Sequence, residues 1–280
     1  MQESAIAGLR VLTALLLLLT AMPARAEALK LTTWNLSWLT TRAAGLPAGV
    51  TPKSAADLAR LAQYAAALHA DIVALQGVDD AASVRAVFPA AAYDLVLAED
   101  AVRQHTGFAI RRGLVFTRNP DLRELAVYPG ATLKLRAGTD ITLMQGGRAV
   151  RLLSVHLKSG CRQAPFGSDD PDPACVTLLR QAGVLRGWVA ARSGPFVMLG
   201  DFGRVMDPPD DLLARIAGNA ALQRATAGRG SPCRGGQAFL DHIVLGGGAG
   251  MQPGSLQVMP YRAADAHLSA HCPVSVLLTP

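Results

Sequence analysis

The sequence predicts an α/β fold in which two mixed β-sheets pack together and helices flank them. β-rich and helical segments alternate along the chain, and several β-rich segments follow one another directly, as the strands of hairpins do. No linker interrupts this pattern, and the 280 residues, half of them hydrophobic, suffice for the core of one large domain. We therefore expect a single domain over residues 27–280.

The first 26 residues predict a secretory signal peptide. Arg10 precedes the apolar run VLTALLLLLT, and AMPARA provides a small-x-small cleavage pattern before Glu27. The apolar run is shorter than the ~20 residues that span a bilayer, which favours a cleaved signal over a membrane anchor. We expect an exported protein, periplasmic or secreted, with no stable membrane anchor.

The first half of the chain predicts a helix between β-rich segments. LKLTTWNL is the first strand, and DIVALQ, a continuous apolar run, is a buried one. Between them Ser54 and Asp57 have the spacing of a capping box. The apolar residues that follow repeat at helical spacing: Leu58, Leu61, Ala65 and Leu68. YDLVLAE and GFAIRRGLVF predict further strands.

The second half continues the alternation. ITLM and VRLLSVHL predict a strand pair around the turn QGGR. CVTLLRQAGVLRGWVAAR predicts a helix, and GPFVMLGDF predicts a strand that runs into a loop. DPPDDLLARIAG predicts a short helix with Pro and Asp in its first turn. AFLDHIVLGG and CPVSVLLT predict the last strands.

Four cysteines in an exported chain favour two disulfides. Cys161 and Cys175 flank the loop RQAPFGSDDPDPA, which leaves Cys233 and Cys272 as the second pair. Four cysteines allow three connectivities, and the pattern alone leaves all of them open; we expect Cys161–Cys175 and Cys233–Cys272. A zinc site is the competing interpretation, but the spacing lacks C-x-x-C or a nearby histidine pair.

The charge of the chain is compatible with phosphate-bearing partners. The formal net charge is +6 and the isoelectric point is near 9.5. Lys and Arg do not cluster among aromatic residues, so the sequence marks no nucleic-acid groove. The Gly-rich segment GGGAGMQPG lacks the G-x-x-x-x-G-K-[ST] pattern of a phosphate loop.

Short polar motifs stand at the ends of predicted strands, where a site built from loops belongs. Each motif is ordinary when taken alone, because an Asp after a strand is commonly a helix cap and a strand His is commonly a core residue with a hydrogen-bond partner. In chain order they are WNL at 34–36, LQGV at 75–78, SVHL at 154–157, GDFGR at 200–204, DH at 241–242 and SAHCPV at 269–274.

In this order the motifs resemble those of the endonuclease/exonuclease/phosphatase superfamily, which includes DNase I-like nucleases, sphingomyelinases and inositol phosphatases. The resemblance runs from about Leu29 to Leu278. It implies a four-layer DNase I-like sandwich and attack of water on a phosphodiester, assisted by a divalent metal, usually Mg²⁺. The implied ligand is a nucleic acid or another phosphodiester, such as a lipid headgroup.

The resemblance also implies roles for individual residues. Asn35 is expected beside the metal and the phosphate, and Asp241 on the metal or paired with a histidine. Arg204 is expected to contact phosphate, and Asp201 to orient the attacking water. His156 and His271 are expected to contact or protonate the phosphate. The catalytic set is thus His156, Asp201, Asp241 and His271. We expect Asn35 and these four residues to converge on one surface cleft.

Three motifs depart from the family pattern. Gly77 replaces the family's main metal carboxylate, Gly203 replaces its phosphate-binding asparagine, and Ala270 replaces the aspartate beside its last histidine. None of these side chains can ligate a metal. Asp79 and Asp80 are near Gly77 in sequence, but a shift of two or three residues aims a side chain elsewhere.

These departures predict a protein that has lost most or all of its catalytic activity and binds Mg²⁺ weakly. One alternative is a weak phosphoesterase that holds Mg²⁺ with Asn35, Asp201 and Asp241. Another is a module that binds nucleic acid or phosphate without hydrolysing it. We also expect the backbone at Gly77 and Gly203 to accept the family's side chains, because the flanking motif residues match. A positive φ there would oppose this.

Overall fold

The computed structural model describes residues 28–128, 130, 134–167 and 172–279. The predicted signal peptide, residues 1–26, lies outside the described residues. Within those ranges, no helix has both the length and the apolar character needed to cross a membrane.

Two six-stranded mixed sheets form the centre of the molecule, as the sequence predicts. The strands of the first sheet are β1 (Leu29–Leu39), β2 (Ile72–Val78), β3 (Tyr93–Leu97), β4 (His105–Arg111), β11 (Gln257–Val258) and β12 (Val274–Leu278). Their order across the sheet is β11-β12-β1-β2-β4-β3. The pair β1 and β2 is parallel and the other neighbours are antiparallel.

The second sheet repeats this plan. Its strands are β5 (Phe116–Arg118), β6 (Thr139–Gln145), β7 (Arg148–His156), β8 (Phe196–Asp201), β9 (Leu222–Arg224) and β10 (Asp241–Gly246). Their order is β5-β6-β7-β8-β10-β9, and β7 and β8 form the parallel pair. The predicted hairpin around QGGR is confirmed as β6 and β7.

In the described part of the chain, four α-helices cover the sheets: α1 (Ala55–Leu68), α2 (Ala81–Val87), α3 (Pro173–Ala190) and α4 (Leu212–Ala217). The capping box of α1 is confirmed, since the side chains of Ser54 and Asp57 each accept the other's backbone N–H. The sequence analysis missed α2, whose N-terminus is capped by Asp80. α4 begins at Leu212, so the prolines predicted in its first turn precede it instead.

Three apolar clusters correspond to the interfaces between four layers. The central cluster lies between the sheets and includes Leu31 and Ile72 from the first and Leu152 and Leu199 from the second. The second cluster packs α3 and α4 on the outer face of one sheet, and the third packs α1 and α2 on the outer face of the other. Strands buried on both faces explain the continuous apolar run that ends at Leu75.

Polar contacts join the two sheets near the carboxyl ends of their parallel strands. Gln76 on β2 accepts a hydrogen bond from Thr33 at 3.1 Å and donates one to Ser154 on β7 at 3.1 Å. Ser154 in turn donates to the carbonyl of Leu75 at 3.1 Å. All three side chains are buried, so these bonds fix how the ends of β1, β2 and β7 face one another.

Both predicted disulfides are present, with Cα–Cα distances of 4.8 Å for Cys161–Cys175 and 5.5 Å for Cys233–Cys272. The first closes the loop that leads into α3. The second ties the segment before β12 to a 3₁₀ turn that follows β9. The zinc alternative is therefore wrong for these four residues.

We expect the double variant Cys233→Ala/Cys272→Ala to lose more stability than Cys161→Ala/Cys175→Ala. The bridges close loops of 39 and 14 residues, and chain entropy gives losses of about 4 and about 3 kcal/mol. Urea unfolding of the wild type and both variants measures the difference. A larger loss for the shorter loop would contradict the prediction.

Candidate active site

The carboxyl ends of three strands carry polar side chains to one end of the sandwich. Asn35 lies on β1, and His156 and Asp201 are the last residues of the parallel strands β7 and β8, where they are register partners. Asp241 opens β10 directly opposite Asp201 in the antiparallel register. His271 precedes β12 by three residues. Strand pairing thus fixes the positions of these side chains.

Asp201 is the centre of this group. Its Oδ2 accepts a hydrogen bond from Asn35 Nδ2 at 2.9 Å, and its Oδ1 accepts one from the backbone N–H of Gly203 at 2.8 Å. The Nε2 atoms of His156 and His271 lie 3.8 and 3.9 Å from Oδ2. The residues predicted to converge therefore meet, and we call Asn35, His156, Asp201, Asp241 and His271 the Asp201 cluster.

The side chains of the cluster, which are expected to meet at one surface cleft, are mostly buried. The side chains of Asp201 and Asp241 are 8% and 3% exposed, and His271 is the most accessible member at 16%. His271 Nδ1 lies 2.7 Å from Asp241 Oδ2. Asp241 Oδ1 and His156 Nδ1 have no hydrogen-bond partner among the described residues. Unpaired buried polar atoms are rare in folded proteins, and both of these atoms belong to the cluster.

Burial and neighbouring charges shift the pKa values of the cluster residues in different directions. Burial and the charge of Asp241 raise the pKa of Asp201. Burial and the charges of Arg136 and His271 hold the pKa of His156 well below its usual value, which leaves its imidazole neutral. Burial alone would lower the pKa of His271, but the charge and hydrogen bond of Asp241 outweigh it and raise the pKa to about 9. At neutral pH His271 is therefore a cation.

Two arginines that the sequence analysis missed act on the cluster. Burial lowers the pKa of Arg136, and the charges of Asp201 and Asp100 oppose that shift. Burial and the charge of Arg162 lower the pKa of Arg234, against the charges of Asp241 and Asp201. Neither arginine lies in a recognisable motif. The only available signal is for Arg234, which follows Cys233 and is brought near His271 by the Cys233–Cys272 disulfide.

Arg204, in contrast, is engaged elsewhere. Its buried guanidinium pairs with Asp210, donates to the carbonyl of Cys161 at 3.0 Å and stacks 3.8 Å from the ring centroid of Phe166. These contacts pack the loop closed by the Cys161–Cys175 disulfide. The guanidinium that was expected to contact phosphate is therefore engaged by groups of the protein and is 3% exposed.

The acidic residues near Gly77 in sequence also form other interactions. Asp79 forms ion pairs of 2.7 Å with both Arg42 and Arg103. Burial would raise the pKa of Asp79, but these arginines outweigh it and hold the pKa far below the usual range. Asp80 caps α2. Neither carboxylate can replace the one absent at Gly77.

Gly77 and Gly203 have backbone conformations that exclude the side chains of the family pattern. Gly77 has φ +67°, and a Cβ there would lie 2.7 Å from Asn35 Oδ1. Gly203 has φ +65°, and a Cβ there would lie 2.5 Å from the carbonyl oxygen of Lys158. The expectation that the backbone accepts larger residues at both positions is wrong, because left-handed φ and close packing both require glycine. Ala270 differs, since it is exposed.

The comparisons with known proteins agree with this architecture. Residues 32–260 match the model of the Endonuclease/Exonuclease/phosphatase family. The chain belongs to this family. No curated protein matches the chain by sequence.

Solved structures of the family share the fold. TDP2 from D. rerio, complexed with a single-strand DNA product, has a TM-score of 0.60 at 17% identity over 90% of this chain and 99% of its own. A family member from Bacteroides vulgatus has a TM-score of 0.60 at 16% identity, over 89% and 98%. The human Nocturnin catalytic domain with bound sulfate has a TM-score of 0.57 at 16% identity, over 90% and 94%.

Members of the family generally use a divalent metal. Among the described residues, Asp201, Asp241 and His271 form the group that could hold a metal ion, with ligand atoms within 4.8 Å of one another. Three of the four carboxylate oxygens already accept hydrogen bonds, from Asn35, Gly203 and His271. Mg²⁺ prefers several oxygen ligands, so this set fits it poorly.

We expect Gly77→Ala and Gly203→Ala each to lower the free energy of unfolding by at least about 2 kcal/mol, because φ strain adds to overpacking. Gly49→Ala is the matched control: Gly49 has φ +80° but open space around its Cβ, so only strain of about 1 kcal/mol applies. Urea unfolding of the three variants provides the comparison. Equal losses at all three positions would refute the packing argument.

Proposed function

We propose that this protein binds phosphodiester ligands at the Asp201 cluster and hydrolyses them very slowly or not at all. The observation that carries the proposal is the contrast between two parts of the site. The polar side chains around Asp201 are assembled, whereas the backbone at Gly77 leaves no room for the family's metal carboxylate.

The charge balance of the site supports anion binding. Arg136, Arg234 and the His271 imidazolium supply positive charge that interacts with Asp201 and Asp241, and Asp100 also acts on Arg136. Guanidinium groups suit phosphate oxygens because their N–H groups form a planar fork. These cations favour a phosphate monoanion, such as a phosphodiester, without any metal.

The poor fit to Mg²⁺ supports slow chemistry. Asp241 Oδ1 is the one carboxylate oxygen of the group that accepts no hydrogen bond from a described residue. Loss of a single transition-state donor commonly lowers a rate by ~10²–10³. The family pattern has a carboxylate, an amide and a second carboxylate at three positions of the site. This chain has Gly77, Gly203 and Ala270 there, and none of them offers a side-chain hydrogen-bond donor or metal ligand.

A nucleic acid is the ligand class that we propose first. TDP2 from D. rerio shares the fold and has been solved with a single-strand DNA product. The net charge of +6 also favours a polyanion. A lipid headgroup has no comparable support among the structural neighbours named above.

A weak metal-dependent phosphoesterase is the second candidate. The grouping of ligand atoms of Asp201, Asp241 and His271 within 4.8 Å favours it. In this case Asn35, Asp201 and Asp241 would hold Mg²⁺ after giving up some of their present hydrogen bonds. Metal dependence of binding and turnover separates the two candidates.

We further propose that the mature protein is a single exported domain over 27–280, released from a signal peptide at 1–26. The two disulfides support this, because disulfides persist in oxidising compartments.

We expect a fluorescent single-stranded DNA to bind equally well in EDTA and in Mg²⁺, with affinity that falls as salt rises. Arg234→Gln should weaken binding about tenfold, because it removes one of the cations that are proposed to attract the phosphodiester beside Asp201 and Asp241. Arg229→Gln is the matched control, since Arg229 is exposed and its substitution removes the same charge. Fluorescence anisotropy measures binding, and gel electrophoresis of the same samples measures cleavage.

Two results would contradict the proposal in different ways. Cleavage that appears with Mg²⁺ and disappears with EDTA would favour the weak phosphoesterase. Absence of DNA binding in either condition, by a folded protein, would exclude a nucleic-acid ligand.

A further inference from the structure

A basic cavity of about 580 Å³ is lined in part by residues that lie close in sequence to members of the Asp201 cluster. We call it the Trp38 cavity. Its walls include Trp38, Pro47, Arg103, Lys134, Arg136 and Lys158. No Asp or Glu lines it among the described residues. The volume lies within the usual range of small-molecule sites and suits a ligand of about one nucleotide.

The positive charge of the cavity is only partly neutralised. Arg103 is paired with Asp79 at 2.7 Å, which accounts for one of the four cations. Lys158 Nζ donates to the carbonyl of Ser159, and Arg136 donates to the neutral side chain of Gln104. No described acidic side chain forms an ion pair with Lys134 or Lys158, whereas the charges of Asp201 and Asp100 act on Arg136; the two lysines therefore favour an anion in the cavity.

A strained turn directs Trp38 toward this charge. Ser37 and Trp38 have φ values of +44° and +63°, which are uncommon for residues other than glycine. Asn35 Oδ1 accepts the Ser37 N–H at 3.0 Å and holds the turn, at the point where β1 shifts register against β2. The half-buried indole of Trp38 has no ring partner or hydrogen bond among the described residues. Strain of this kind persists where surrounding structure imposes it, commonly at ligand sites.

The chain connects the cavity directly to the cluster. Trp38 follows Asn35 by three residues, and Lys158 follows His156 by two. Arg136 lines the cavity, and its charge also acts on Asp201 and His156. A phosphodiester at Asp201 therefore has its neighbouring unit within reach of the cavity.

We propose that the Trp38 cavity binds one nucleotide unit beside that phosphodiester, with its base stacked on Trp38 and its phosphate held by Lys134 and Arg136. This inference rests on the proposed function and narrows its substrate class. An unpaired base offers a π-face for an indole, and stacking of this type serves single-stranded nucleic acids. The source is a single-stranded nucleic acid or a free nucleotide.

The test combines a change in the protein with a change in the ligand. Short oligothymidylates, each with one abasic residue at a different position, are compared with the intact oligonucleotide in EDTA by anisotropy. For the wild type, one abasic position should weaken binding about tenfold, as expected for loss of one stacked base. Trp38→Ala should weaken binding of the intact oligonucleotide by the same factor and be insensitive to that abasic position. Trp38→Phe should retain most of the affinity.

Tryptophan fluorescence gives a second measurement that needs no loss of affinity. The chain has three tryptophans, and Trp34 and Trp188 are buried at 0% and 6% exposure. Quenching by bound oligonucleotide should therefore report on Trp38 and disappear in Trp38→Phe. Competition by thymidine monophosphate as strong as that by the oligonucleotide assigns free nucleotides as the source. A requirement for two or more linked nucleotides assigns nucleic acid.

The outcomes distinguish this inference from the proposed function. If every abasic position weakens oligonucleotide binding by the wild type and by Trp38→Ala by equal factors, the proposed stacking site is wrong, while the proposal of phosphodiester binding stands. The same holds if no position matters in the wild type. If a folded wild type binds neither the intact nor the abasic oligonucleotides, the proposed function and this inference fall together.

Discussion

The hydrogen bond from Asn35 to Asp201 joins the two sheets at the end of the sandwich where the site lies. Asn35 belongs to β1 of the first sheet and Asp201 to β8 of the second, and both side chains are almost fully buried. Once this bond is formed, strand register places His156 and Asp241 on either side of Asp201. The same amide group also accepts the N–H of Ser37 and so shapes the turn that carries Trp38. One side chain therefore links the polar cluster to the neighbouring cavity.

The two glycines act on this arrangement through the backbone. Gly77 lies where β1 and β2 shift register, against the oxygen of Asn35 that holds the Ser37 turn. Gly203 donates its N–H to Asp201 and lies against the carbonyl of Lys158. Each glycine thus allows a close approach that orients a cluster residue, at a position where the family pattern has a functional side chain. The two positions at which the chain departs from the family pattern are therefore also the positions that shape the backbone around Asn35 and Asp201.

Sequence reasoning was sufficient where one local pattern determines the outcome. The capping box at Ser54 and the QGGR hairpin follow from short-range rules, and the six motifs identify the fold because their order is specific. It was insufficient where a contact between distant segments determines the position or the partner of a side chain. The capture of Arg204 by Asp210 and Phe166 depends on the loop fold, and the approach of Arg136 to Asp201 depends on packing. Helix α2 was missed because only seven residues form it, too few to show a clear period.

Under the proposed function, binding and catalysis would separate at this site for an electrostatic reason. A divalent metal both attracts the phosphate and stabilises the charge that develops on it during the reaction. The cations Arg136, Arg234 and His271 would instead attract the phosphate in the ground state and in the transition state alike. Interactions that stabilise ground state and transition state equally improve binding without increasing the rate of the bound complex. A site that keeps these cations and lacks the metal carboxylate should therefore retain more of its affinity for phosphodiesters than of its turnover.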